Sequence, residues 1–143
     1  MTQGYSMGDD RWSEMGLGFP MRTYGCLICS LAIITGITPN NILNELMSKR
    51  SFCFNKDGLL VDVLAAQTLK AKGWLKEGVY QQLPANTPVS APIIAMTGDN
   101  AHLGFPTHFF VLLPDKMMID PLDPPTPKAK PLTYNVVNQR LFA

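Results

Sequence analysis

Tyr24-Gly25-Cys26-Leu27-Ile28-Cys29-Ser30-Leu31-Ala32-Ile33-Ile34-Thr35-Gly36 sets the layout of this chain. A tight turn at Gly25 leads into a cysteine, then a buried apolar helix that Gly36 closes. A cysteine in the first turn of a helix meets free backbone N–H groups and the positive end of the helix dipole. Both favour a thiolate, the reactive form of the side chain, and the same amides can receive an oxyanion. Taken alone, Cys26 reads first as a small buried hydrophobe and only second as a nucleophile. What separates the two readings lies downstream, where His108 and Asp120 could complete a nucleophilic constellation.

Outward from this helix, the sequence divides in two. Thr38-Pro39 starts a second helix, with Thr38 as N-cap and Pro39 at the first helical position. Ile42, Leu43, Leu46 and Met47 give it one apolar face. A third helix fits Leu59 to Lys72, with Asn55 and Asp57 as caps and Gly73 as its stop. Its face is Leu60, Val61, Leu64, Ala65 and Leu69. Phe52-Cys53-Phe54 between these helices reads as a core plug, with Cys53 buried and inert. After Trp74 the composition changes. Residues 91–96 read as a buried strand, 97–106 as a loop, 107–113 as a strong strand, Pro114-Asp115-Lys116 as a turn and 117–120 as the returning strand. Residues 121–131 hold five prolines and read as an extended surface segment of polyproline character. Residues 132–143 read as a short strand and a turn of helix. Helices first and an antiparallel sheet after give an α+β class, not a wound βαβ fold.

The bulk numbers narrow the function classes. At 143 residues the chain reads as one domain, residues 1–143, with an irregular glycine-rich arm over 1–23. Twelve basic against 11 acidic side chains leave a formal charge of +1, which gives no electrostatic case for nucleic acid or an anionic membrane. No apolar run approaches the roughly 20 residues of a membrane helix, and the N-terminus carries no signal-peptide pattern. The cytoplasm of the producing cell is the expected location. Cys26, Cys29 and Cys53 cannot all pair within one molecule, and a reduced state is the simpler reading. Cys26-x-x-Cys29 has no second CxxC or HxxxH to build a zinc site, so no metal and no cofactor is expected. Cys29 reads as a helix packing residue, and His102 as an exposed loop residue.

The ordered motifs resemble the peptidase C39-like family, a branch of the papain-like cysteine peptidases. The residues that carry the resemblance are Asp9-Asp10-Arg11-Trp12, Gly25-Cys26-Leu27-Ile28-Cys29-Ser30-Leu31-Ala32, Thr38-Pro39 with Leu43-Asn44, His108-Phe109-Phe110-Val111 and Asp120-Pro121. They span most of the chain in order. The resemblance implies a papain-like fold and a triad: Cys26 as nucleophile, His108 as general base, Asp120 as the group that orients the imidazole. The hairpin turn at 114–116 agrees, since it returns Asp120 alongside His108.

One position departs from the family. Its oxyanion-donating glutamine aligns with Met7, which cannot donate a hydrogen bond; Gln3 lies four residues earlier. Three functions therefore remain open. The first is a cysteine peptidase or amidase acting on a peptide or protein, such as a cell-wall peptide. The second is a catalytically impaired scaffold that contacts other proteins, such as phage structural proteins. The third is an acyl transferase of transglutaminase type.

Overall fold

The structure, a computed structural model, describes residues 4–7, 25–49, 53, 62–98 and 108–143. Among these residues the chain forms helices α1 (Cys26–Thr35), α2 (Pro39–Ser48) and α3 (Asp62–Ala71). Strands β1 (Tyr80–Pro84), β2 (Ile93–Thr97), β3 (His108–Leu113), β4 (Met117–Ile119), β5 (Lys130–Pro131) and β6 (Asn138–Phe142) follow. The class is α+β, as the sequence order implies. The expected motifs at Asp9–Trp12, the caps Asn55 and Asp57, and Leu60, Val61, Gln3 and His102 lie outside the described residues.

Three helix boundaries have a local cause. Gly36 ends α1 in the left-handed region, at φ 74°, and its N–H donates to the Ala32 carbonyl at 2.9 Å. Thr38 precedes α2 in an extended conformation with Pro39 at the first helical position. The Thr38 hydroxyl makes no capping bond; its carbonyl instead accepts the N–H groups of Asn41 and Ile42, each at 3.1 Å. Gly73 follows α3 at φ 76°.

All strand pairings are antiparallel, in the order β1-β6-β2-β3-β4-β5. Two elements differ from the sequence reading. Residues 80–84 form an edge strand, and the C-terminal stretch forms β6, an inner strand between β1 and β2. Its alternation is masked by the polar residues Asn138, Gln139 and Arg140, whose donors find partners in the fold. Gln139 donates through Nε2 to the carbonyls of Thr87 at 2.8 Å and Ala85 at 3.2 Å, which holds the β1–β2 connection. Arg140 donates to Tyr80 Oη at 2.7 Å and Asn138 Oδ1 at 2.7 Å, and reaches Asp62 of α3 at 3.4 Å. Burial pushes the Asp62 carboxyl up, against the opposing pull of Arg140 and Tyr80.

The period of two along the strands divides the core. Ile94 and Phe109 join the helices and Phe142 in one cluster, while Val111 and Ile119 pack on Ile33 of α1. Ala95, Phe110, Leu112 and Met118 form a second cluster with Val89, Ile93, Leu132, Tyr134 and Val136. The sheet is thus covered by helices on one face and by connecting segments on the other. Cys53 is fully buried, 3.1 Å from Thr68 Oγ1. That hydroxyl itself donates to the Leu64 carbonyl, which leaves the Cys53 thiol to act as donor, a packing role as expected.

The proline-rich segment is not the extended strip that its composition suggests. Leu122 and Asp123 turn back on Asp120 through their N–H groups, each at 3.0 Å. Lys130 pairs with Asp123 at 2.7 Å, and β5 returns to pair with β4. Pro121 and Pro127 are buried. Proline fixes φ without dictating direction, so the bonds at Asp120 decide the path. Residues 4–7 of the N-terminal arm lie against this loop. The Met7 N–H donates to the Pro121 carbonyl at 2.9 Å, and a Cβ on Gly4 would sit 1.9 Å from the Pro127 carbonyl oxygen.

Candidate active site

Cys26 is the first residue of α1, after Gly25. The first helical bond runs from the Cys29 N–H to the Gly25 carbonyl at 2.8 Å. The amides of Cys26, Leu27 and Ile28 therefore precede any intrahelical acceptor. Cys26 is nearly buried, at 7% exposure, and Cys29 and Cys53 are fully so. All three are free thiols.

His108 opens β3, and Asp120 follows β4 directly. The register Val111↔Ile119 with the tight turn at 114–116 sends both toward the same end of the sheet. There His108 Nε2 and Asp120 Oδ1 lie 2.7 Å apart, with side-chain exposures of 0% and 2%. Cys26 closes the group: it stands within hydrogen-bonding reach of the His108 ring. The structure brings together the three side chains that the sequence singled out, from positions 26, 108 and 120.

The electrostatics fix the direction of each bond. Burial pushes the Asp120 carboxyl up, but hydrogen bonds from His108, Tyr134 and the Leu122 N–H outweigh it and hold the group below the usual carboxylate range. An ionised carboxylate only accepts, so Nε2 carries the proton of the His108–Asp120 bond. Exchange with the thiol then falls to Nδ1. Burial disfavours the imidazolium; the bond to Asp120 and the contact with Cys26 overcome this and raise His108 to about 9. The site thus sets a buried imidazole between a carboxylate and a sulfur.

A fourth residue was not singled out from the sequence. Tyr134 donates its hydroxyl to Asp120 Oδ2 at 2.5 Å. Its ring meets His108 edge-on, with centroids 5.6 Å apart at 78°, and Phe110 at 5.2 Å and 56°. No sequence signal points to it, because it sits in a stretch without periodicity, 14 residues from its partner.

Met7 is 1% exposed and packs in the same cluster as Cys26. Its one backbone donor is committed to Pro121, so residue 7 supplies no oxyanion donor. No group of His, Cys, Asp and Glu suited to a metal ion occurs among the described residues. No single helix among them is long and apolar enough to cross a membrane.

Comparison with known proteins adds no relative: no family model, no curated protein and no solved structure matches this chain.

Proposed function

We propose that this chain is a papain-like cysteine peptidase or amidase of C39-like type, with Cys26 as nucleophile, His108 as acid–base and Asp120 as the orienting carboxylate. The observation that carries the reading is the buried 2.7 Å bond between His108 and Asp120 beside a cysteine that opens a helix. In this mechanism the Cys26 thiol proton passes to His108 Nδ1, and the thiolate attacks a peptide carbonyl carbon. The oxyanion forms at the N-terminus of α1, where the Cys26 amide is a donor. Collapse of the tetrahedral intermediate breaks the C–N bond, and His108 protonates the leaving amine. Water then cleaves the thioester with His108 as base, releasing the acid and restoring the thiol. Asp120 keeps the ring in the required tautomer throughout and does not take the proton.

The substrate class is a peptide or protein, a cell-wall peptide being one example, and the setting is the cytoplasm of a producing cell or a phage particle. Met7 favours a second reading. With no donor at that position the site loses one arm of its oxyanion hole, a change that costs about 10²–10³ in rate where it has been measured. The chain then serves as a scaffold that contacts other proteins, such as phage structural proteins.

Incubation with a mixed peptide library that includes cell-wall peptides, read by mass spectrometry for new termini, separates the two. Cleavage by the wild type that disappears in Cys26→Ala supports the peptidase. Equal product lists for the two proteins support the scaffold.

A further inference from the structure

Tyr134 lies outside the triad, yet it is the side chain most closely built into it. Asp120 has two carboxylate oxygens. Oδ1 accepts from His108 at 2.7 Å and from the Leu122 N–H at 3.0 Å, and Oδ2 accepts from Tyr134 at 2.5 Å. The last torsion of an aspartate is broad and two-fold, so a carboxylate held at one oxygen alone swings easily. Donors on both oxygens remove that freedom. The tyrosine is itself held: Phe110 packs against its ring, and the cluster on that face includes Leu132 and Val136 from the same segment.

We propose that Tyr134 is a positioning residue of the Cys26–His108–Asp120 group, which fixes the Asp120 carboxylate through its hydroxyl and the His108 ring through its edge contact. The inference rests on the triad reading above. It gives the C-terminal segment 132–137 a role in the chemistry: the segment that covers the far face of the sheet also locks the orienting carboxylate. Burial and the Asp120 charge push the Tyr134 hydroxyl above its ordinary range, so it remains a neutral donor wherever the site works. Two further groups among the described residues act on the pair. Asp123 acts on Tyr134 and is itself paired with Lys130, and Cys26 acts on His108.

The test is the pH profile of Cys26 alkylation by iodoacetamide, resolved by peptide mass spectrometry, in the wild type and three variants. Tyr134→Phe keeps the ring and removes only the donor. Leu132→Ala loosens the same cluster without touching Asp120. His108→Ala reports whether the reactivity is that of a pair. The Tyr134 bond holds the Asp120 carboxyl low. Without it Asp120 takes a proton at higher pH, His108 loses its counter-charge there, and the acid limb moves toward neutrality. The expected shift is about one pH unit. Leu132→Ala is expected to lower the melting temperature and leave the limb in place. Superimposable limbs for Tyr134→Phe and wild type, with a limb that still depends on His108, overturn the role of Tyr134 and leave the triad standing. An ordinary thiol profile in the wild type overturns both. A limb displaced equally by Leu132→Ala overturns positioning in favour of general packing.

Discussion

Replacing Asp120 by asparagine keeps the shape of the side chain and removes its charge. His108 stands at about 9 against an ordinary 6.5. That gap of about 2.5 units corresponds to about 3 kcal/mol in favour of the imidazolium. Burial is the largest single influence on His108, and it acts downward; Asp120 is the first of the influences that reverse it. In Asp120→Asn the burial remains while the main opposing influence is gone. His108 is therefore expected to fall well below 9, with Cys26 the influence left to raise it.

The assay is a proton NMR titration of the ring signals. It is simple here because the chain has only two histidines, His102 and His108. The sign of the linked stability follows from the same numbers. Between pH 6.5 and about 9 the folded state holds a proton that the unfolded state has released, so this contribution is full below 6.5 and is lost as pH rises through 9. The loss across this window amounts to up to about 3 kcal/mol. In Cys26→Ser, where the Cys26 influences on His108 are gone, a smaller loss at lower pH is expected. The Asp120 contribution has the opposite sense: it is present above the usual carboxylate range and lost as pH drops below it. A His108 signal that titrates near 6.5 in the wild type, or that does not move in Asp120→Asn, contradicts this role of Asp120.

Three further outcomes follow from the packing. Leu46→Ala removes a fully buried side chain between helices and should cost about 2–5 kcal/mol by denaturant titration. Gly4→Ala places a Cβ where the Pro127 carbonyl oxygen sits, so the arm must move. Faster hydrogen exchange of the Met7 amide, which donates to Pro121, reports that movement. Lys116→Gly relieves a left-handed residue at φ 58° in the β3–β4 turn, and a gain of up to about 1 kcal/mol is expected in thermal unfolding.

The helical half of the fold is legible in the sequence because its signals are local. Gly36, Thr38-Pro39 and Gly73 mark boundaries that depend on a few residues each, and the apolar face of α2 needs no partner to be seen. The hairpin from His108 to Asp120 is legible for a similar reason: strong β formers flank one turn. Position β6 is different. Its inner residues Gln139 and Arg140 are polar, and the carbonyls of Ala85 and Thr87 and the hydroxyl of Tyr80 are among the partners that make this position tolerable. Those partners lie more than 50 residues away, beyond any window of periodicity. The proline segment misleads for a related reason. Its path is set by the Asp120 carboxylate and a Lys130–Asp123 pair, not by proline conformation. In the site, Cys26, His108 and Asp120 carry recognisable chemistry in a recognisable order. Tyr134 carries none until the fold brings its hydroxyl to Asp120.

The proposed function stands or falls on Cys26 and His108 acting as one pair. Its most direct measurement is the rate of Cys26 alkylation against pH, resolved by peptide mass spectrometry from the fully buried Cys29 and Cys53, in wild type and His108→Ala. Fast reaction at neutral and mildly acid pH is expected in the wild type, and its collapse in His108→Ala. A profile that follows an ordinary thiol, with a midpoint near about 8.5, in both proteins contradicts it.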